Sequence, residues 1–189
     1  MAKRISILNS FDKGIKLLLM LWSIQIIQIL LPFTNLQKYG ILPREYSGLP
    51  GIFLYNFIHG DFIHLISNSL PLLIFIWMLY QHFRPLAGKV IFRGMFLTGF
   101  LVWCFARKNY HIGASGLVYT LAGFIIGSGF YRKENKTFFL SLLIISTYGT
   151  TMFFGILPLN RWVSWEAHFF GALTGFYLSK KYKDIKIIS

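Results

Sequence analysis

"YHIGASGLVYTLAGF", residues 110–124, is the stretch that decides how this chain is read. By composition it is an apolar helix rich in small residues, and small residues are common where membrane helices pack closely. It also frames one serine, Ser115, between Gly113, Ala114 and Gly116. Taken alone, a serine in such a helix mostly hydrogen-bonds to its own backbone. The rest of the sequence decides whether this hydroxyl has another role.

Working outward, the run sits in a chain of 189 residues that is 55% hydrophobic, 19% aromatic and only 13% charged. Its apolar residues come in long runs, which marks an all-α membrane protein rather than a soluble domain. A span needs about 17–25 mostly apolar residues to cross roughly 30 Å of hydrocarbon. Six runs qualify as transmembrane helices of a polytopic bundle, at about 14–31, 57–80, 90–104, 113–131, 138–157 and 163–180, the third being short. The brief connections imply one domain over 1–189, with no linker. No internal repeat is visible, which weighs against a transporter built from repeated halves. The first run lacks a small-residue cleavage site and reads as a permanent span, not a signal peptide. A single cysteine, Cys104, cannot form an internal disulfide.

The formal net charge of +13 raises the prospect of nucleic acid. That class is excluded because the basic residues sit in short clusters between apolar runs, not along one polar face. Lys3, Arg4, Lys13 and Lys16 precede the first span, and Arg84, Lys89 and Arg93 surround the second connection. Arg132, Lys133 and Lys136 lie in the fourth connection, and Lys180, Lys181, Lys183 and Lys186 close the chain. With six spans these 14 of the 19 basic residues share one side, leaving Lys38, Arg44, Arg107, Lys108 and Arg161 on the other. Lysine and arginine favour the cytoplasmic side, so both termini are expected there.

Ser115 opens the fourth span, His64 and Asn68 lie near the start of the second, and His168 opens the sixth. These three spans run from outside to inside, so the four residues share the outer half. At a rise of 1.5 Å per residue, Asn68 and Ser115 stand about 24–25 Å above the inner surface and His168 about 18 Å. Polar groups at such depth are costly unless they face a cavity or one another. Each has a bland reading: the histidine and asparagine as cross-helix hydrogen bonds, "GALTG" (171–175) as a packing motif. Together, Gly-x-Ser-Gly, His-x3-Asn and His-x2-Gly-x3-Gly arise by chance in about one such chain in a thousand.

The chemistry these residues can do is acyl transfer. A serine hydroxyl becomes a nucleophile when a base takes its proton, and histidine titrates near neutral pH. Ser115 and His168 make that pair. Gly116 on the fourth span, with Gly171 and Gly175 on the sixth, allows the backbones to approach. A developing oxyanion needs donors. The unpaired N–H groups at the helix start carrying Ser115 supply them, joined by His64 and Asn68 one turn apart. Tyr119, one turn after Ser115, is placed to stack on His168. Glu166 lies two residues before His168 and points elsewhere on a helix, so a dyad is expected rather than a triad. A metal site is disfavoured, because His59, His64, His111 and His168 lack ligand spacing on one face and no cysteine is near. No cofactor is implied. A channel would want ionisable groups through the whole depth of the bundle, and here they stop near the outer layer.

At this point the chain resembles the rhomboid family of intramembrane serine proteases. "HGDFIHLISN" (59–68), "GASGLVYTLAG" (113–123) and "AHFFGALTG" (167–175) match its three hallmark segments in order, and the resemblance covers nearly the whole chain. It implies a six-helix bundle with the serine helix at its centre. It implies Ser115 as nucleophile, His168 as general base, and an oxyanion hole from His64, Asn68 and the Ser115 N–H. Tyr119 would pack on the base, and His59 would brace the first external loop. The implied substrates are single-pass or other membrane proteins whose transmembrane helix enters laterally from the lipid bilayer. Entry is expected between the second and fifth spans, with the fifth span and "LPLNRWVSW" (157–165) as gate and cap, loosened by Gly149 and Gly155. The resemblance is to the minimal bacterial form, which implies the inner membrane with the site toward its outer face. Many members carry a Trp-Arg pair in the first external loop, whereas residues 32–55 contain "PREY" and no such pair. A rhomboid-like binding module without protease activity is the alternative; such relatives typically lack the serine or the histidine, and both are present here.

Overall fold

Backbone in hydrocarbon has no water to bond, so long apolar runs become helices that satisfy their own N–H and C=O groups. The computed structural model describes residues 2–187 apart from Pro32, Thr34 and Arg161, with side chains from Ser10 onward. Pro32, Arg161 and the side chains of Lys3 and Arg4, which entered the loop and charge readings, therefore lie outside the described residues. Regular structure among the described residues is helical: α1 (Ala2–Leu30), α2 (Gly51–Leu54), α3 (Phe62–His82), α4 (Ala87–Phe105), α5 (Ser115–Tyr131), α6 (Asn135–Gly155) and α7 (Trp165–Lys181). Four segments are long and apolar enough to cross a membrane: Ser10–Leu30 within α1, and all of α3, α4 and α6. The other two long helices, α5 and α7, have 17 residues each.

Helix α5 is apolar on every face, which places a helix in the middle of a bundle. Every residue from Ser115 to Ser128 is buried. Its closest neighbour is α7, and glycines set that distance. A Cβ added at Gly171 would overlap the Gly116 carbonyl, and one at Gly175 would overlap the Thr120 carbonyl. In return, a Cβ at Gly123 would stand 2.7 Å from the Ala172 carbonyl oxygen. Around this pair, α4 packs on both helices, α3 packs on α5 and carries α1, and α6 lies against α5.

Several helix limits differ from the apolar runs, each for a local reason. Helix α3 starts at Phe62, not at 57, because the Asp61 carboxylate caps it by accepting the His64 N–H at 2.7 Å. Helix α5 starts at Ser115, not at 113, because Gly113 has φ +112°. That left-handed backbone ends any helix running through it and suits glycine alone. Hydrophobicity does not report such a break. The loop between α1 and α3 also contains unanticipated structure: 3-10 turns at Leu36–Tyr39, Tyr46–Gly48 and Tyr55–Phe57, besides α2. It folds over the N-terminal end of α5, where Ile41 forms an isolated antiparallel bridge with His111.

Candidate functional site

Helical serines and threonines tend to return their hydroxyl to the carbonyl one turn back. Ser23, Ser69, Thr120 and Thr147 do so at 2.8, 2.8, 2.9 and 2.7 Å. Ser115 does not. The carbonyl one turn back, that of His111, instead accepts the Ile41 N–H at 3.0 Å. Ser115 is a buried residue, and its hydroxyl makes no hydrogen bond among the described residues. Its N–H, at the first position of α5, has no acceptor within the helix.

The turn before Ser115 is held from two sides. The Gly113 N–H donates to the Tyr55 carbonyl at 2.8 Å, and the Ala114 N–H donates to His59 Nε2 at 3.2 Å. His59 thus braces the serine turn itself, as well as accepting Gln28 Nε2 at its carbonyl (3.4 Å). A Cβ at Gly113 would lie 2.6 Å from His64 Cε1 and Nε2 and 3.7 Å from Asn68 Nδ2. Both side chains of α3 therefore reach the serine turn. Asn68 Nδ2 is buried and has no hydrogen-bond partner among the described residues. Leaving such a donor unpaired costs about 1–3 kcal/mol.

On the opposite side, His168 opens the first turn of α7. Its Nδ1 is 2.8 Å from the Gly155 carbonyl oxygen. A carbonyl only accepts, so Nδ1 carries the proton of the neutral ring and Nε2 keeps its lone pair. The ring stacks on Tyr119, with centroids 4.2 Å apart and planes within 2°. Tyr119 is fixed in turn by its hydroxyl, which donates to the Thr151 carbonyl at 3.0 Å. Gly155 does not loosen the end of α6 as its composition suggests. A Cβ there would overlap the Tyr119 hydroxyl and stand 3.2 Å from His168 Nδ1, so glycine is what permits the contact. Glu166 faces away from the ring and pairs with Arg107, Oε1 to Nε at 3.3 Å. The group that orients His168 is a backbone carbonyl, which no residue-type search can find.

Ser115, Gly113, Gly116, Tyr119, His168, His64, Asn68, His59 and Gly171 thus gather around the start of α5. Gly175 lies one turn deeper on α7, against Thr120 and Phe124, and serves packing there. Beside His168 opens a cavity of about 360 Å³, lined by Tyr119, Thr151, Phe154, Leu157, Asn160 and Val163 among others. A hydroxyl with no partner, an imidazole with a free lone pair and an unpaired amide donor are groups that acyl-transfer chemistry can use.

A family described as the Rhomboid domain matches residues 47–183. An uncharacterized protein of Mycobacterium tuberculosis (strain ATCC 25618 / H37Rv) is 27% identical over 152 residues, covering 75% of this chain and 62% of the relative. One of Mycobacterium leprae (strain TN) is 27% identical over 158 residues, covering 75% of this chain and 59% of the relative. RHOMBOID-like protein 5 of Arabidopsis thaliana is 30% identical over 128 residues, covering 64% of this chain and 40% of the relative. The chain spans about three fifths of the length of these mycobacterial relatives.

Proposed function

The chain belongs to the rhomboid family, and from that premise we propose that it is a serine endopeptidase that cleaves transmembrane segments of other membrane proteins through a Ser115–His168 dyad. It forms one domain of six membrane-crossing helices, α1 and α3 to α7, in a bacterial inner membrane. Both termini are cytoplasmic and the site faces the outer half. Helices α5 and α7, at about 26 Å each, suffice because α5 starts below the surface and both are enclosed by longer neighbours.

The observation that carries this reading is the state of two polar groups, the Ser115 hydroxyl and the Asn68 amide, at the head of α5. Ser115 forgoes the backbone bond that four other helical hydroxyls make, and Asn68 Nδ2 is left without an acceptor. A buried amide donor without a partner, beside a hydroxyl that bonds nothing, calls for a role. Here the role is chemical. A substrate helix enters between α3 and α6 and unwinds locally, since a helical carbonyl is already paired. Ser115 Oγ attacks the exposed carbonyl carbon while His168 Nε2 takes its proton. The oxyanion is held by Asn68 Nδ2, His64 and the Ser115 N–H. His168 returns the proton to the leaving amine, and water then hydrolyses the acyl-enzyme. Throughout, the Gly155 carbonyl stabilises the protonated imidazole, the part a carboxylate plays in a triad.

Support for lateral entry comes from α6. It rests on α5 and meets α3 through the Phe75–Tyr148 ring pair, centroids 5.2 Å apart, while Phe153 and Phe154 stay exposed. The test is cleavage of a reporter transmembrane segment in proteoliposomes. Wild type is expected to cut it, and Ser115→Ala and His168→Ala to leave it intact. Cleavage that persists in both variants contradicts the dyad; a folded wild type that binds the segment without cutting it favours the silent module.

A further inference from the structure

His111 lies four residues before Ser115, outside any helix, yet it is almost wholly buried. Three outer segments meet on it. Its backbone pairs both ways with Ile41 of the first outer loop, N–H to carbonyl at 2.9 and 3.0 Å. Its Nε2 is 3.0 Å from the Arg107 carbonyl oxygen, within its own loop. Its Nδ1 is 2.5 Å from Ser164 Oγ, on the segment leading into α7. The carbonyl can only accept, so Nε2 carries the proton, and Nδ1 accepts from the Ser164 hydroxyl.

Ser164 is the cap residue of α7. A serine at that place ordinarily spends its side chain on the helix's own free N–H groups. Here it makes no such bond, because the hydroxyl is committed to His111. Its carbonyl receives the N–H groups of Ala167 and His168 at 3.1 and 3.3 Å. A short path therefore runs from Ser115 through the turn to His111, across one hydrogen bond to Ser164, and through one helical turn to His168. Ion pairs bracket the path. Arg107 bonds Glu166, and its Nη2 donates to the Val163 carbonyl at 2.6 Å. Lys108 pairs with Glu45 at 2.6 Å and holds that carboxyl below its usual range by hydrogen bond and charge. Burial, with the Arg107 charge beside it, pushes the His111 imidazole down, although the Arg107 carbonyl and Glu166 oppose this.

We propose that His111 is a positioning residue, which sets the Ser115 turn against the first turn of α7 through its hydrogen bond to Ser164. The proposal rests on the protease reading above. Helices α5 and α7 touch through glycines from the Gly116–Gly171 contact inward, and those contacts do not reach the end formed by the loops that lead into the two helices. The His111–Ser164 bond closes that end, where a displacement of about 1 Å between reacting groups costs on the order of a hundredfold in rate.

The experiment is steady-state cleavage of a reporter segment by the full chain, comparing wild type with His111→Ala, Ser164→Ala, the double variant and His111→Asn. His111→Ala and Ser164→Ala should each lower kcat by about 10- to 100-fold with KM nearly unchanged. Residues acting as one unit are not additive, so the double variant should fall within about threefold of the worse single variant. His111→Asn, whose Oδ1 can take the place of Nδ1, should recover most of the loss. Ser164→Ala leaves the buried imidazole in place, and it decides the matter even where His111→Ala does not fold. Wild-type kcat in Ser164→Ala, or losses that multiply in the double variant, overturns the inference while leaving the dyad intact. A wild type that does not cleave overturns both.

Discussion

Helices α5 and α6 are neighbours of similar polarity and differ in how they are held. Helix α5 is buried from Ser115 to Ser128, while α6 buries only Thr137, Ser141, Ile144 and Met152 along its 21 residues. Glycine has a different meaning in each. On the α5–α7 seam it lets two backbones touch; at Gly149 of α6 an added Cβ would meet nothing closer than Ile145 Cγ2 at 3.7 Å. Close backbone packing makes α5 and α7 one rigid element, suited to hold the proposed nucleophile and base in register. The looser α6 is bound to that element toward its two ends: by Ser141, which donates to the Ile126 carbonyl at 3.1 Å, and by the Tyr119, Thr151 and Gly155 group at its C-terminal end. Between those ends the exposed middle of α6 can shift while its terminal carbonyls stay on Tyr119 and His168, which is what the proposed lateral entry asks of it.

The contrast breaks most visibly at Gly175. Val there would drive its side chain into the Thr120 carbonyl and to within 2.6 Å of the Phe124 N–H nitrogen. Backbone cannot yield as a flexible side chain does, so Gly175→Val should abolish the folded monomer, read as loss of the detergent-solubilised peak and of the thermal transition. Gly155→Ala strikes the junction of the two helices. It should leave the fold intact but move Tyr119 and free His168 Nδ1, lowering cleavage by about 10- to 100-fold. Tyr119→Phe sharpens the comparison by removing the α5–α6 hydrogen bond while keeping the ring under His168. A single neutral hydrogen bond is worth about 0.5–1.5 kcal/mol, so cleavage should change by less than about tenfold. Gly149→Ala is the smallest. Ala is favoured over Gly inside a helix by about 1 kcal/mol, so the thermal midpoint should hold or rise slightly and cleavage should stay near wild type. A Gly149→Ala effect as large as that of Gly155→Ala would erase the distinction between the two helices.

The long helices were legible because lipid and core both demand apolar side chains, and runs such as those of α3 and α4 record that demand directly. Their ends were less so. The start of α5 depends on the backbone angle of Gly113, and that of α3 on a single capping carboxylate at Asp61. The candidate site was legible where chemistry needs a particular side chain: a hydroxyl at 115, imidazoles at 64 and 168, an amide at 68. It was illegible where the chain uses its own backbone or a contact far away in sequence. The Gly155 carbonyl on His168, the Ala114 N–H on His59 and the Ser164 hydroxyl on His111 follow no periodicity and leave no motif. Arg44 of the loop between α1 and α3 meets Trp103 of α4: the Arg44 Nη1 caps the Ala106 carbonyl at 2.8 Å, and Trp103 Nε1 donates to the Glu45 carbonyl at 3.0 Å. The "PREY" stretch is thus tied to the end of α4, a pairing that its local sequence conceals.

The central claim is that Ser115 is an activated nucleophile and not a packing residue. Incubating the detergent-solubilised protein with a fluorophosphonate probe and locating the adduct by peptide mass spectrometry tests this most directly. A single adduct on Ser115, lost in His168→Ala, is expected. Labelling that survives Ser115→Ala, or a Ser115 that stays unmodified in folded wild type, would contradict it.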